Sequence, residues 1–144
     1  MSDEQIQALL VRGVLLRVEP DREVARRELA TAQQHLESAE RLSEDDQTAA
    51  LAVSYEAARK AIGSHMRANG LRVAGSERAH ARTGEYGLAA LDNPRLVEHF
   101  RAFDRIRRLR NRSQYDAFLV EEGDVAFALE HARAIVAAVA ADLR

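Results

Sequence analysis

The stretch Leu96–Asp116, LVEHFRAFDRIRRLRNRSQYD, decides the fold. Leu96, Val97, Phe100, Phe103, Ile106 and Leu109 recur at spacings of one, three and four, which on a helix draws a single apolar stripe. Arg101, Arg105, Arg108 and Arg112 recur at four, three and four and stack into a second, cationic stripe. Five of the chain's twenty arginines crowd into residues 105–112. A helix that buries one face and presents guanidinium forks on another is suited to meet phosphates or carboxylates. The same pattern also fits a solvated surface that pairs with Glu and Asp.

Working outward, the chain reads as helical from end to end. Gly and Pro are scarce, and no segment shows the alternation of a strand. Ser2-Asp3-Glu4-Gln5 has the form of a capping box that opens a first helix, expected to run to about Val18, before Pro20. A second helix follows Asp21, with Ala25, Leu29, Ala32, Leu36 and Ala39 spaced alternately by four and three. Ser43-Glu44-Asp45-Asp46 caps a third, in which Leu51, Tyr55, Ala58, Ile62 and His65 repeat that spacing. Residues 70–75, bounded by Gly70 and Gly75, form the one obvious loop, and a shorter helix is predicted from about Ser76 to Leu91. Asp92-Asn93-Pro94 starts the arginine helix with caps and a first-turn proline. The last helix opens near Asp124 and presents Val125, Leu129, Ala132, Val136, Val139 and Leu143. The four-three spacing predicts helices crossing at about 20°. The fold class is therefore all-α: one domain over residues 1–144, an antiparallel up-down bundle of four main helices plus shorter flanking ones.

Composition narrows the function. A chain of 144 residues has the size of one domain with a real core. It has no Cys, so disulfides and thiolate metal sites are excluded. The N-terminus is acidic where a secretory signal is basic, and no apolar run approaches the ~18 residues of a membrane span, which predicts a cytoplasmic protein without a membrane partner. Net charge is −2, so a nucleic-acid surface must be local. Lys60 is the only lysine and Ala is abundant, a bias expected of a GC-rich bacterial genome.

The ending Arg110-Asn111-Arg112-Ser113-Gln114-Tyr115-Asp116 resembles the signature of HEPN domains, in which a penultimate helix finishes with Arg, usually Asn, a few residues and then His. Some subfamilies write it Arg-Asn-x-x-acidic-or-amide-Tyr, and Asn111, Gln114, Tyr115 and Asp116 look like that version. Gly70-Leu71-Arg72 followed by Ser76 to His80 is similar to the loop-plus-His segment that precedes the signature helix in several subfamilies. The resemblance covers most of the chain. It implies a small helical bundle, a homodimer, a metal-independent site and a frequent setting in toxin–antitoxin and defence systems, often beside a minimal nucleotidyltransferase partner.

This sequence departs from that pattern where the chemistry lies. Tyr115 stands at the fifth position after Arg110, where the signature His would be. An imidazole titrates near pH 6.5 and exchanges protons at neutrality, whereas a phenol titrates near pH 10, and bringing it to neutrality requires roughly 4 kcal/mol. Phosphate binding is thus expected over cleavage, with Arg108, Arg110 and Arg112 on phosphates, Asn111 positioning a neighbour, Tyr115 stacking on a base or donating its hydroxyl, and His80 flanking the site. If the site cleaves, its catalytic residues are Arg110 and Tyr115. On an unbroken helix these two point about 140° apart. Either the helix ends before Tyr115 or two chains compose the site. Asn111 and Tyr115 share a face and are expected to line one cleft.

The first reading is therefore an RNA- or nucleotide-binding module with a degenerate ribonuclease site. A second is a non-enzymatic interaction bundle whose arginine stripe binds an acidic partner or its own dimer mate; a third is an active metal-independent endoribonuclease. No Gly-rich phosphate loop, dinucleotide fingerprint or nucleophile elbow is present, so no cofactor is expected. Glu77-Arg78-Ala79-His80 has the Glu-x-x-His spacing of di-iron bundles but lacks the second such pair, and no metal is expected. His65 falls on an apolar stripe and reads as a hydrogen-bonded core histidine; His99 and His131 read as solvent-facing. Gly84 and Gly87 flank Tyr86 within a helical pattern without an evident role.

Overall fold

A computed structural model describes residues 3–75, 78–115 and 118–144. The described elements are α1 (Asp3–Val11), β1 (Leu15–Arg17), α2 (Arg22–Leu42), α3 (Gln47–Ala68), β2 (Leu71–Val73), α4 (Ala79–Ala90), α5 (Val97–Tyr115) and α6 (Glu122–Asp142). The expected all-α bundle is what forms, with α3 at its centre against α2, α4, α5 and α6. Leu51, Tyr55, Ala58, Ile62 and His65, the stripe read from the sequence, are all fully buried. The face of α2 turned to the core is built on Ala25, Ala32 and Ala39. Such small side chains let two long helices approach closely, and Asp46, capping α3 through the Ala49 N–H at 3.0 Å, starts the return against α2 after a short turn.

The N-terminal expectation is corrected. Helix α1 stops at Val11 instead of reaching Val18, because Gly13 takes φ +74° and turns the chain. The Val14 and Gly13 N–H groups return to the carbonyls of Leu9 and Leu10, at 2.9 and 3.1 Å, a Schellman-type stop. The chain then enters β1, and the loop expected over residues 70–75 contains β2, its antiparallel partner, with Leu16 opposite Arg72. The ribbon buries Leu15 and Leu71, so two alternating pairs too short to register as strands in the sequence anchor the N-terminus to the bundle. Gly70, at φ +70°, is required between α3 and β2, since a Cβ there would lie 2.8 Å from Pro20 Cγ and the Val18 carbonyl. Ser2 of the expected capping box and Ser76, the expected start of the shorter helix, lie outside the described residues.

Gly84 and Gly87 acquire a role from packing. A Cβ on Gly84 would sit 3.2 Å from Phe103 Cδ2, and one on Gly87 would sit 2.5 Å from Phe100 Cδ1 and Cε1. The glycine face of α4 is the seat for the phenylalanine face of α5. As α4 steps back from 87 to 84, α5 steps forward from 100 to 103, so the helices run antiparallel in register. One more turn brings His80 to the level of the 106–110 turn of α5.

Two histidine expectations also change. His131 is buried and its Nδ1 lies 2.8 Å from Nδ1 of His99, joining α6 to α5 instead of facing solvent. His65 is the core histidine expected: Nδ1 meets the Tyr86 hydroxyl at 2.7 Å and Nε2 meets Asp142 at 2.5 Å, tying α3 to α4 and to the end of α6. No described helix is long and apolar enough to cross a membrane.

Candidate phosphate-binding site

Helix α5 begins after Asn93, whose side chain accepts the Arg95 N–H at 3.0 Å, and buries Phe100, Ala102, Phe103 and Ile106. Its cationic stripe is where the spacing puts it: Arg101, Arg105, Arg108 and Arg112 are exposed. Several of these cations are already engaged. Arg108 Nε pairs with Asp104 at 3.3 Å, the Arg105 guanidinium lies 4.5 Å from the centre of the Phe127 ring, and that of Arg112 lies 4.3 Å from Phe118. Arg107 completes a fork on Asp104, its Nε and Nη2 both donating to Oδ1 at 3.0 and 2.7 Å.

Arg110 is different. It lies four residues after Ile106 and seven after Phe103, so it continues the buried stripe where an apolar residue belongs. The helix therefore turns its guanidinium inward, 5.5 Å from the centre of the Tyr55 ring. Arg110 Nε is buried without a hydrogen-bond partner among the described residues, and Nη1 donates only a long bond, 3.3 Å, to the Asn111 side-chain oxygen. It makes no ion pair among the described residues. An inward arginine with unmet donors is the strongest ligand-directed feature of the helix.

Around Tyr55 four elements of chemistry converge. Phe103 stacks on its ring at 5.2 Å, and His80 lies at 5.7 Å between ring centres. The Tyr55 hydroxyl is buried without a partner among the described residues. Burial holds this phenol far above its ordinary range, against the opposing charges of Arg59 and Arg110, so it stays protonated and able to donate. Beside it Glu56 is held in a fork by Arg59, Oε1 accepting from Nε at 3.1 Å and Oε2 from Nη2 at 2.8 Å. Burial opposes ionisation of Glu56, yet the hydrogen bond and charge of Arg59, with Arg110 and His80, hold its carboxyl below the usual range. His80 is pushed down by burial and by Arg59, with Glu56 opposing and Arg110 and Arg107 adding to the fall; it is neutral at pH 7. The patch thus combines three arginines, a tied-up carboxylate, a neutral imidazole and a protonated phenol.

The residues expected at the site divide into two groups. Arg110 and His80 come together around Tyr55, and Asn111 touches Arg110. Arg108 and Arg112 lie outward on the stripe. Tyr115 is 82% exposed, and no hydrogen bond joins it to Asn111 among the described residues, so the shared cleft expected for the two does not form within one chain. Asn111 and Tyr115 do share a helix face, but Tyr115 ends α5 exposed; the unbroken helix leaves Arg110 on the inner face and Tyr115 on the outer one. Asp116 of the signature lies outside the described residues, as does Glu77 of the Glu-x-x-His spacing. Among the described residues no group of three or more His, Cys, Asp or Glu side chains gathers to hold a metal ion.

Sequence reasoning missed Tyr55, Glu56, Arg59 and Arg107. Tyr55 was visible as the polar-tipped member of an apolar stripe, and Glu56 with Arg59 as an ion pair three apart. Their convergence on Arg110 depends on how α3 and α5 cross, which no local pattern encodes.

A family model described as the HEPN domain matches residues 25–142, from the first turn of α2 to the end of α6. The chain belongs to the HEPN domain family. No curated protein and no solved structure matches it.

Proposed function

We propose that this HEPN domain binds RNA or a nucleotide by a phosphate, with Arg110 as the inner anchor and the outward Arg108 and Arg112 as steering contacts. The observation that carries this reading is the half-buried Arg110 guanidinium, without an ion pair among the described residues, set with the His80 imidazole against the Tyr55 ring. A guanidinium whose donors are unmet inside the fold gains more from an incoming phosphate than one already neutralised by a carboxylate, as Arg107 is by Asp104. Asn111 fixes the fork of Arg110, and Tyr115, on the outer face, stacks on a base. The linear signature pair Arg110 and Tyr115 is a degenerate nuclease motif: phenol and guanidinium diverge, and the phenol is a poor base at neutrality. A homodimer with the α5 ends near its twofold axis would bring Tyr115 of one copy towards Arg110 of the other. The biological setting consistent with the family is a toxin–antitoxin or defence pair in the bacterial cytoplasm, with a nucleotidyltransferase as partner.

The test is binding of a labelled single-stranded RNA across a salt series. Wild type should bind with an affinity that falls steeply as salt rises, and Arg110→Ala should lose most of it, whereas Arg108→Ala should weaken it modestly and reduce the salt slope by about one. Equal loss from both variants would shift the assignment to the outer stripe. Retention of full binding in Arg110→Ala would reject the inner anchor, and failure of wild type to bind any RNA or nucleotide would favour the protein-interaction reading.

A further inference from the structure

Two unmet donors sit beneath a rim of charged side chains. Tyr55 is fully buried, and its hydroxyl and Arg110 Nε have no hydrogen-bond partner among the described residues. Around them Glu56, Arg59, His80 and Arg107 are half-buried, as is Arg110 itself, so the rim meets solvent while the floor does not. Most of that rim is already neutralised: Arg59 is paired with Glu56 at 2.8 Å and Arg107 with Asp104 at 2.7 Å. Arg110 has no ion pair among the described residues. His80 lies against the same Tyr55 ring, with no hydrogen bond to either of its ring nitrogens among those residues. We infer that this site takes the phosphomonoester end of an RNA strand or nucleotide, a dianion with one ester arm, in preference to a phosphodiester inside a strand. The inference rests on the phosphate-binding reading above and names the phosphate that the site selects.

Shape and charge favour the same ligand. A phosphate inside a strand carries two ribose arms, and both must cross the rim before its free oxygens reach donors on the floor. A terminal phosphate has one arm and three free oxygens, so it enters head first. Arg110 Nε and the Tyr55 hydroxyl then donate to two of those oxygens. An internal diester carries a single negative charge, which Arg110 alone would match. A monoester carries close to two at pH 7.5, because its second proton leaves near pH 6. His80 can supply the second positive charge. Burial and the charge of Arg59 keep its imidazole neutral in the free protein, with Glu56 opposing and Arg110 and Arg107 adding to the effect. A dianion seated against Arg110 offsets those charges and draws a proton onto the ring, which becomes the third donor. The phosphate is held, and no bond to phosphorus forms or breaks.

The experiment uses the full chain and one short 2′-O-methyl oligoribonucleotide in three forms: with a 5′-phosphate, with a 3′-phosphate, and with hydroxyls at both ends. Calorimetry at pH 7.5 should show at least one phosphorylated form binding about tenfold or more tightly than the hydroxyl form, and the form that wins identifies the end. Adenosine 5′-monophosphate should compete with it and adenosine should not; a strand much tighter than the mononucleotide marks RNA as the source. The advantage of the phosphate should shrink to about twofold or less in Tyr55→Phe and in His80→Gln. Titration in buffers of different ionisation enthalpy should show wild type taking up roughly one proton with the phosphorylated strand and His80→Gln taking up none. Tyr55→Phe removes only an unpartnered hydroxyl, so it should melt no lower than wild type, and far-UV circular dichroism checks the fold of both variants. Equal affinity for all three strands, or a preference that survives both substitutions, overturns the inference and leaves phosphate binding standing. A wild type that binds none of these ligands removes the phosphate-binding reading and this inference with it.

Discussion

Replacing Gly87 by Ala tests the packing that positions the site. The new methyl would lie 2.5 Å from Phe100 Cδ1 and Cε1 and 3.3 Å from Cζ, well inside van der Waals contact. Phe100 is 2% exposed, so its ring has nowhere to swing and α4 must yield. Overpacking of this kind costs about 1–3 kcal/mol, against a gain of up to about 1 kcal/mol from replacing a helical glycine. The expected net is a loss of about 1–2 kcal/mol, or a Tm lower by roughly 2–8 °C for a domain of this size. Gly63→Ala is the control: Gly63 lies within α3 with nothing within 4 Å of its would-be Cβ, so the same change should gain about 0.5–1 kcal/mol. Urea unfolding followed by far-UV circular dichroism separates the two, provided the m-values agree. A Gly87→Ala protein as stable as wild type, alongside a stabilised Gly63→Ala, would refute the claim that the α4 glycines are there to receive the α5 rings.

Three further outcomes follow from the same coordinates. Tyr115→Ala should change stability by no more than about 0.5 kcal/mol, because the ring is exposed; a loss several times larger would mean it is buried, as at a dimer contact. Tyr86→Phe should cost about 1–2 kcal/mol by removing the 2.7 Å bond to His65 Nδ1, and an unchanged urea midpoint would show that bond to be unimportant. His131 is pushed below its ordinary value by burial, with Glu130 and Glu98 opposing and the charges of His99 and Arg105 adding to the fall. A histidine whose folded-state affinity for protons is depressed contributes stability that is complete above the unfolded pKa of about 6.5 and is lost as pH falls below it. The wild-type urea midpoint should therefore drop between about pH 7 and 5, and less so in His131→Gln; parallel declines would assign the effect to other groups, His80 first.

What was legible in the sequence was what depends on period. Leu51, Tyr55, Ala58, Ile62 and His65 on α3, and Val125, Leu129, Ala132, Val136 and Val139 on α6, are buried as their spacing required. The short ribbon was not legible, because three residues per strand give no alternation to read and only Gly13, Gly70 and Gly75 at positive φ mark its ends. The histidine bridge between His99 and His131 was hidden for a different reason. His99 sits beside Glu98 on the arginine helix and His131 beside Glu130 on an apolar one, and only the contact of α5 with α6 makes them partners. Gly84 and Gly87 were visible as an anomaly, and their meaning lay in Phe100 and Phe103 on another helix.

The site follows the same division. Counting charges drew attention to the outward arginines, where Arg101, Arg105, Arg108 and Arg112 align, yet that face is where a cation is cheapest to hold. An arginine costs most where the helix phase demands an apolar residue, and on α5 that position is 110, four after Ile106 and seven after Phe103. Keeping it there leaves Nε buried and without a partner among the described residues, beside a Tyr55 hydroxyl in the same condition. Two buried donors without partners among the described residues would cost the free protein stability, and under the phosphate-binding proposal one bound anion would relieve both. The consequence is measurable in the absence of any activity: Arg110→Met should fold at least as stably as wild type, whereas saturating RNA should raise the melting temperature of wild type and leave that of Arg110→Met unmoved. An Arg110→Met protein clearly less stable than wild type would mean that the guanidinium is a structural support, and the burial of Arg110 would then carry no functional weight.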